Sequence, residues 1–365
     1  MIVFLGIIIG FTLAVYLFMQ QSKFGSLPSG QRLERIKASP QYRDNAFQNQ
    51  NHTPSLTEGA SFASVLKEFL FDKKPRRTPA RPMPSAKTDL HQLRKEEDVL
   101  VWMGHSSYFM QVDGKSILVD PVLSGHASPL SFTTKSFPGS DIYTTDDIPV
   151  IDFLFITHDH WDHLDHDTIK KLQPKIKTVI TGLGTGAHLE RWGFKKDMVI
   201  EKDWNETALL ADGFSVTLTP ARHFSGRTFT RNKALWVSFV LETPAHKIFI
   251  GGDSGYDEHF KAIGNTHGPF DLAILECGQY DKNWKYIHMM PEEVVLAAGE
   301  LKAKKLLAVH WGKFSLSKHT WDDPVERVYK AATEKNMPLL TPMIGESVNI
   351  NENDQRFTTW WKGLD

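Results

Sequence analysis

The chain has 365 residues, of which 41% are hydrophobic and 23% are charged. These proportions are close to globular averages, so they exclude a chain that is disordered or collagen-like throughout, and one that crosses a membrane many times. The 42 Lys and Arg residues nearly balance the 43 Asp and Glu residues, for a net charge of −1. Because a neutral chain has no global attraction to nucleic acid, we expect no nucleic-acid partner.

Cys277 is the single cysteine of the chain, which excludes an internal disulfide and a zinc site built on several thiolates. Histidine is abundant by contrast, with 16 copies. A metal site would therefore have to be built from imidazoles and carboxylates. Such a ligand set is typical of catalytic metals rather than of structural zinc.

The first residues predict a membrane anchor. Ile2 to Met19 carry no charge, and 18 helical residues rise about 27 Å, close to the ~30 Å hydrocarbon core of a bilayer. No basic residue precedes this run and no small-residue cleavage motif follows it, which disfavours a cleaved signal peptide. Basic residues begin only at Lys23, so the positive-inside rule places the remaining chain on the cytoplasmic face. We therefore predict a single-pass anchor over residues 1–20.

Residues 21–95 are expected to form a tether between this anchor and the main domain. Ser61 to Phe71 within it predict a short amphipathic helix. Six basic residues and four prolines lie between Asp72 and Lys87. Two interpretations stay open for this segment: an extended, solvated linker that wraps the domain, or a basic strip that faces anionic lipid headgroups.

Residues 96–365 predict one large α/β domain, in which short apolar segments indicate strands and amphipathic segments indicate helices. The predicted strands are 99–104, 108–114, 115–121, 151–158, 177–182, 214–221, 234–243, 247–253, 272–278 and 305–312. The predicted helices are 166–172, 186–192, 259–264, 291–303 and 324–335. Runs of strands with helices between and after them indicate two sheets covered by helices.

The strongest functional pattern is the segment from Thr157 to His163, which reads T-H-D-H-W-D-H between an apolar strand and a predicted helix. Side chains two positions apart in an extended chain point the same way, so His158 and His160 can share one metal ion. Asp162 and His163 follow where the chain bends into the helix, and they can face a second ion. Zn²⁺ readily takes imidazole nitrogen and carboxylate oxygen as ligands.

Three further candidate ligands stand directly after apolar runs. His223 follows the strand 214–219, Asp253 ends the run K-I-F-I-G-G, and His310 ends the run K-L-L-A-V. Each is a metal-binding side chain at the end of a predicted strand, and we predict that all three bind the metal.

These features resemble the metallo-β-lactamase superfamily, which implies an αβ/βα four-layer sandwich with two metal ions at one edge of its sheets. The resemblance covers about residues 99–347. Within the superfamily, the sequence most resembles the N-acylphosphatidylethanolamine-hydrolysing phospholipase D family, with which it shares six blocks in the same order. The blocks are W-M-G-H-S at 102–106, L-V-D-P at 118–121, G-D-S-G-Y at 252–256, G-P-F-D-L-A at 268–273, His288 with P-E-E at 291–293, and A-V-H-W-G at 308–312.

The resemblance implies two zinc ions that share one carboxylate. The implied ligands are His158, His160 and His223 for one ion, Asp162, His163 and His310 for the other, and Asp253 for both. Mn²⁺ or Fe²⁺ are alternatives, since such nitrogen and oxygen sites also accept them. His288 is expected to face the substrate phosphate or leaving group, or else to support the site through a hydrogen bond. His105 is a candidate for supporting a ligand, and Asp120 either orients His160 or His163 or closes a turn.

The expected activity is cleavage of the phosphodiester bond of N-acylphosphatidylethanolamine-type phospholipids, which gives phosphatidic acid and an N-acylethanolamine. The expected partners are this phospholipid, membrane lipid and a second copy of the chain. The alternative is a lactonase or another ester or thioester hydrolase of the same superfamily, because one fold and metal set serve many reactions. The aromatic residues near the site either line a groove for an acyl chain or belong to the core: Trp284, Tyr286, Trp311 and Phe314.

Overall fold

The computed structural model describes residues 2–71 and 76–364. The α-helices in these ranges are α1 Ile2–Met19, α2 Gly30–Lys37, α3 Phe62–Phe71, α4 His166–Leu172, α5 Gly186–Arg191, α6 His259–Thr266, α7 Pro291–Glu300 and α8 Asp323–Lys335. The strands are β1 Tyr42–Arg43, β2 Ala46–Phe47, β3 Val99–Trp102, β4 Tyr108–Val112, β5 Lys115–Val119, β6 Ile151–Ile156, β7 Ile176–Gly182, β8 Val199–Lys202, β9 Thr207–Leu209, β10 Ser215–Thr219, β11 Ser238–Glu242, β12 Lys247–Ile250, β13 Leu272–Glu276, β14 Leu306–Val309, β15 Leu339–Leu340 and β16 Ser347–Asn349.

Two seven-stranded sheets form the body of the domain. The first has the strand order β16-β3-β4-β5-β6-β7-β8, and the second has the order β15-β14-β13-β12-β11-β10-β9. The strands from β5 to β8 run parallel, as do those from β12 to β15, and the other pairs in the two sheets are antiparallel. Neighbouring parallel strands end at the same edge of a sheet, so each sheet collects several strand ends at one place.

An apolar core fills the space between the sheets, and helices cover their outer faces. Phe155 of β6 packs edge-to-face on Phe239 of β11, with ring centroids 5.0 Å apart, and so joins the two sheets. Ile169 of α4 and Leu189 of α5 are buried against the first sheet, and α7 packs on β13 and β14 of the second. The predicted αβ/βα sandwich is thereby confirmed, with all ten predicted strands present.

The strands that the sequence did not predict are short or lie at sheet edges. Two of them, β15 and β16, have two and three residues, too few for an alternating pattern to be recognised. Every residue of β8 is half-buried, so its sequence does not alternate between apolar and polar residues.

The prediction of a transmembrane helix is wrong. α1 does form, but no helix in the described part of the chain is long and apolar enough to cross a membrane. The end of α1 instead contacts the domain, where Phe18 packs on Phe24 and Phe24 packs on Trp161. The location predicted from the anchor, a single-pass protein with its domain on the cytoplasmic face, is contradicted as well.

The segment predicted as a tether packs along the domain. Ile36 of α2 and Phe47 of β2 are buried in the main core. Arg32 of α2 forms ion pairs with Glu190 and Glu201, at 2.7 and 2.6 Å. These contacts hold the chain against the first sheet and lead residues 46–57 to the edge where the strands end.

The basic segment also follows the domain surface where it is described. Its first residues, Asp72 to Pro75, lie outside the described residues. Met83 is buried and its N–H donates to the carbonyl of Pro138 at 2.7 Å, while Ser85 forms a β-bridge with Ile344. The described part is therefore extended chain that wraps the domain.

A truncation in the core tests the importance of this packing. Phe249 of β12 is fully buried and packs on Phe270, with ring centroids 5.5 Å apart. Phe249→Ala should lower the free energy of unfolding in urea by about 3–5 kcal/mol, because it leaves a cavity between well-packed rings. Phe132→Ala is the control, since that ring is 71% exposed and its loss should cost less than about 0.5 kcal/mol. Equal losses in the two variants would contradict the assigned core.

Candidate metal centre

The candidate site lies where strands of both sheets end. His158 and His160 follow β6 of the first sheet. His223, Asp253 and His310 follow β10, β12 and β14 of the second sheet. The sandwich thus brings together side chains that are up to 152 residues apart, as the numbering of His158 and His310 shows.

Three histidines form the first candidate ligand group. His158 Nε2 lies 2.9 Å from His160 Nδ1, and His223 Nε2 lies 3.2 Å from the same His160 atom. Neighbouring ligands of tetrahedral zinc are about 3.4 Å apart when the metal–nitrogen bonds are ~2.1 Å long. These three nitrogens therefore have nearly the spacing that one metal ion requires.

The second group combines a carboxylate with three imidazoles. The ligand atoms of His105, Asp162, His163 and His310 all lie within 4.8 Å of one another. Asp162 Oδ2 is 3.6 Å from His163 Nε2 and 2.9 Å from His105 Nε2. His105, which the sequence predicts only as a support for a ligand, thus contacts the carboxylate of Asp162 directly.

Asp253 lies between the two groups. Its Oδ2 atom is 3.2 Å from His163 Nε2 and 3.7 Å from His223 Nε2, and its Oδ1 atom is 3.3 Å from His310 Nδ1. One carboxylate therefore faces ligands of both groups, which is the position that a bridging ligand requires.

Buried polar atoms at the centre test whether these residues fit a metal. Among the described residues, His163 Nε2 and Asp253 Oδ1 have no hydrogen-bond partner, because their close neighbours lack the alignment of a hydrogen bond. Buried polar atoms are normally satisfied, so each such atom needs an explanation. A cation held between imidazole nitrogen and carboxylate oxygen would satisfy both atoms, and the residues therefore fit a metal ion.

The protonation states of the buried residues suit metal binding, except at His163. Burial would lower the pKa of His163, but the charges of Asp253 and Asp162 outweigh it and raise that pKa well above its ordinary value, so a metal ion would have to displace this proton. Burial lowers the pKa of His158, His223 and His310 well below the ordinary value, which leaves their imidazoles neutral. Burial alone would raise the pKa of Asp253, but the positive charge of His163 outweighs it and holds that pKa well below its usual range. Neutral imidazoles and ionised carboxylates are the forms that bind metal ions.

Asp120 orients His163. Its Oδ2 atom lies 2.8 Å from His163 Nδ1, and the same carboxylate accepts hydrogen bonds from the N–H and the hydroxyl of Thr157 at 2.9 and 2.6 Å. A carboxylate on Nδ1 fixes the proton there and turns Nε2 toward the site. Of the roles left open by the sequence, the structure selects the orientation of His163.

The loops that carry His105 and His310 hold each other. Both residues have left-handed backbone, with φ values of +52° and +70°. The N–H of His105 donates to the carbonyl of Trp311, and the N–H of His310 donates to the carbonyl of His105, both at 2.9 Å. Gly278 completes the arrangement, because a Cβ there would lie 2.1 Å from the carbonyl oxygen of His310.

His288 lies beside the ligands and pairs with a carboxylate. Its Nδ1 is 3.3 Å from Glu276 Oε1, and its ring centroid is 5.0 Å from that of His223. Burial raises the pKa of Glu276 to about 7. Burial would lower the pKa of His288, but the Glu276 charge outweighs it and the pKa is raised. His288 can therefore carry a proton next to the candidate metal centre.

Sequence reasoning missed three residues that support the site. Glu276 ends the apolar run L-A-I-L-E, so the criterion that found His310 could also have found it. The buried Arg227 donates to the carbonyls of Asp159 and Leu164, at 2.9 and 2.6 Å, and thereby holds both sides of the motif. The side chain of Asn49 bonds to the carbonyl and the N–H of His223, at 2.8 and 3.1 Å. No local pattern marks Arg227 or Asn49.

A cavity of about 300 Å³ opens over the ligands, and one of its walls is apolar. The apolar lining consists of Leu56, Phe62, Val65, Phe224, Trp284, Ile287 and Leu316. Trp284 is thus the one of the four aromatic residues named above that lines the cavity. Trp311 and Phe314 are buried in the domain, and the hydroxyl of Tyr286 donates to Glu58.

The sequence model of the beta-lactamase superfamily domain matches residues 115–311, which is more than half of the chain. The chain belongs to the beta-lactamase superfamily. The matched range contains the T-H-D-H-W-D-H motif, together with His223, Asp253, His288 and His310. The fold and the His/Asp cluster agree with a metal-dependent hydrolase of this superfamily.

The chain is similar to several known proteins, one of which is a phospholipase. An uncharacterized protein of Mycobacterium tuberculosis is 36% identical over 328 residues, which cover 89% of this chain and 88% of that protein. The N-acyl-phosphatidylethanolamine-hydrolyzing phospholipase D 1 of Caenorhabditis elegans is 29% identical over 287 residues, which cover 74% of this chain and 80% of that protein. The solved structure of Igni18, a metallo hydrolase from Ignicoccus hospitalis, shares the fold, with a TM-score of 0.54, 22% identity, and coverage of 69% of this chain and 97% of that chain.

The role of Asp120 as a positioning residue can be tested by metal affinity. Asp120→Asn keeps the size of the side chain but removes the charge that holds His163, so zinc affinity should fall about 10- to 100-fold. Competition with a chromophoric chelator measures this affinity directly. Asp354→Asn is the control, because Asp354 is exposed and far from the ligands in the sequence. An unchanged affinity in Asp120→Asn would show that Asp120 only closes the turn.

Proposed function

We propose that the chain is a dinuclear zinc phosphodiesterase that cleaves N-acylphosphatidylethanolamine-type phospholipids into phosphatidic acid and N-acylethanolamine. The observation that carries this proposal is the position of Asp253 between two groups of histidines at the floor of a cavity with an apolar wall. The similarity to the Caenorhabditis elegans phospholipase supports the same substrate class.

The proposed ligands divide into two sets joined by Asp253. They are His158, His160 and His223 in one set, and Asp162, His163 and His310 in the other. Zinc bound by these residues would supply an acidified water nucleophile and positive charge for the phosphoryl oxygens. Asp120 and Arg227 keep the motif in place, so that the ligands need little reorganisation when they bind.

His288 is the proposed proton donor to the leaving alkoxide. It lines the cavity next to His223 and Asp253, and Glu276 on its Nδ1 favours the protonated ring. Positioned acids of this kind typically accelerate a reaction about 10²- to 10⁴-fold. The apolar wall contributed by α3 and by residues Leu56 and Trp284 binds the acyl chain of the substrate.

The first test uses the purified protein loaded with zinc, given N-acylphosphatidylethanolamine and a panel of lactones. Release of phosphatidic acid is expected from the phospholipid. Asp253→Asn should lower this release at least ~100-fold and reduce the bound zinc, because the shared ligand loses its charge. Lactone opening without phosphatidic acid release would instead assign the chain to the lactonases, and full turnover by Asp253→Asn would disprove the assigned ligands.

The second test separates proton donation by His288 from a structural role. His288→Gln should lower kcat for the phospholipid about 10²- to 10⁴-fold, since its alkoxide leaving group needs a proton. Cleavage of bis(p-nitrophenyl) phosphate should fall less than ~5-fold, because p-nitrophenolate leaves without protonation. Equal losses on both substrates would show that His288 supports the architecture of the site instead.

A further inference from the structure

A second cavity, of about 330 Å³, adjoins the cavity over the metal ligands. The two cavities share five lining residues, which are Ser55, His223, Phe224, Arg231 and Ile287. Most of the remaining lining comes from residues 43–53, where the chain reads R-D-N-A-F-Q-N-Q-N-H-T. We call this second space the polar cavity, because amides, hydroxyls and guanidinium groups dominate its lining.

The polar cavity is positively charged. Arg43 and Arg231 line it, and no carboxylate is among its lining residues. Several other arginines are paired with acids, as Arg32 is with Glu201 and Arg327 is with Glu292. Across residues 2–71 and 76–364, neither Arg43 nor Arg231 forms an ion pair or a side-chain hydrogen bond. Both arginines are exposed, so water satisfies their hydrogen bonds, but together they give the cavity a positive potential that favours an anionic ligand.

Arg231 lies at the junction of the two cavities. Its guanidinium is 4.9 Å from the ring of Phe224, which packs on His160 and His223 with centroid distances of 4.4 and 4.8 Å. The ring of Phe224 therefore separates the positive charge from the histidines of the first group. A substrate that reaches these ligands extends into the apolar space on one side and into the polar cavity on the other.

The polar cavity also offers free hydrogen-bonding groups. The side chains of Gln50, His52 and Ser55 make no hydrogen bond to other described residues, in contrast to Asn49, which is bound to His223. Hydroxyl groups of a ligand can pair with such side chains. Acyl chains in the same place would bury these polar groups without partners, which is unfavourable.

We propose that the polar cavity binds the glycerol phosphate side of the substrate, and that the preferred substrate is a single-chain glycerophosphodiester whose glycerol hydroxyls are free. This proposal rests on the proposed phosphodiesterase function and specifies its substrate. The single N-acyl chain occupies the apolar cavity, and the phosphodiester lies at the metal ligands between the two cavities. Arg43 and Arg231 attract its negative charge from the polar side, where the polar side chains bind the hydroxyls. Arg43 and Arg231 are thus residues that determine specificity.

The test compares diacyl N-acylphosphatidylethanolamine with its deacylated glycerophospho counterpart, in one detergent, on the zinc-loaded protein. The deacylated substrate should have about tenfold higher kcat/KM. Arg43→Gln and Arg231→Gln should each raise its KM about tenfold, because each removes one positive charge that attracts the substrate, with kcat within about twofold. Arg356→Gln, at an exposed arginine outside both cavities, should change neither constant. A preference for the diacyl substrate, or unchanged KM values in both variants, overturns the proposal.

A binding measurement tests the ligand of the polar cavity even if the proposed function is wrong. If neither phosphodiester is cleaved, the proposed function fails, and calorimetry with sn-glycerol 3-phosphate on the same zinc-loaded protein then decides the ligand of the polar cavity. Binding that weakens about tenfold in Arg43→Gln and in Arg231→Gln, but not in Arg356→Gln, supports a glycerol phosphate site. Binding that is equal in all variants, or no binding at all, overturns it.

Discussion

The carboxylate of Asp253 is the constraint on which the rest of the centre depends. It is buried, and it lies between the histidines of the first group and those of the second. A charge taken out of water must be compensated by opposite charge close to it. The imidazole of His163, 3.2 Å from the carboxylate, provides such a charge, and a metal ion suits the same place. The two sheets must therefore meet so that β6, β12 and β14 all end around one carboxylate.

The N-terminal segment completes a site that the two sheets only begin. Asn49 bonds to the backbone of His223, Leu56 and Phe62 form part of the apolar wall, and Arg43 lines the polar cavity. Burial of Phe47 in the main core fixes this segment in place. The ligands thus come from the sheets, whereas much of the surface that a substrate contacts comes from residues before β3.

Local patterns in the sequence were sufficient where the structure depends on neighbouring residues. Apolar runs predicted the central strands of both sheets, because buried strands require them over their whole length. The same criterion failed for β15 and β16, which are held by pairing to other strands rather than by their own sequence. It also misled for α1, whose uncharged residues indicate a spanning helix, although the helix is too short and its end contacts Phe24 and the domain.

The sequence by itself determined which residue types stand at the strand ends, and so it predicted an imidazole and carboxylate metal site around the T-H-D-H-W-D-H motif. Only the tertiary structure decided that Asp120 contacts His163, that Glu276 pairs with His288, and that Asn49 and Arg227 hold the motif and His223. The physical reason is the range of the interactions. Side-chain alternation acts between neighbours along the chain, whereas these contacts join residues that only the packing of the two sheets brings together.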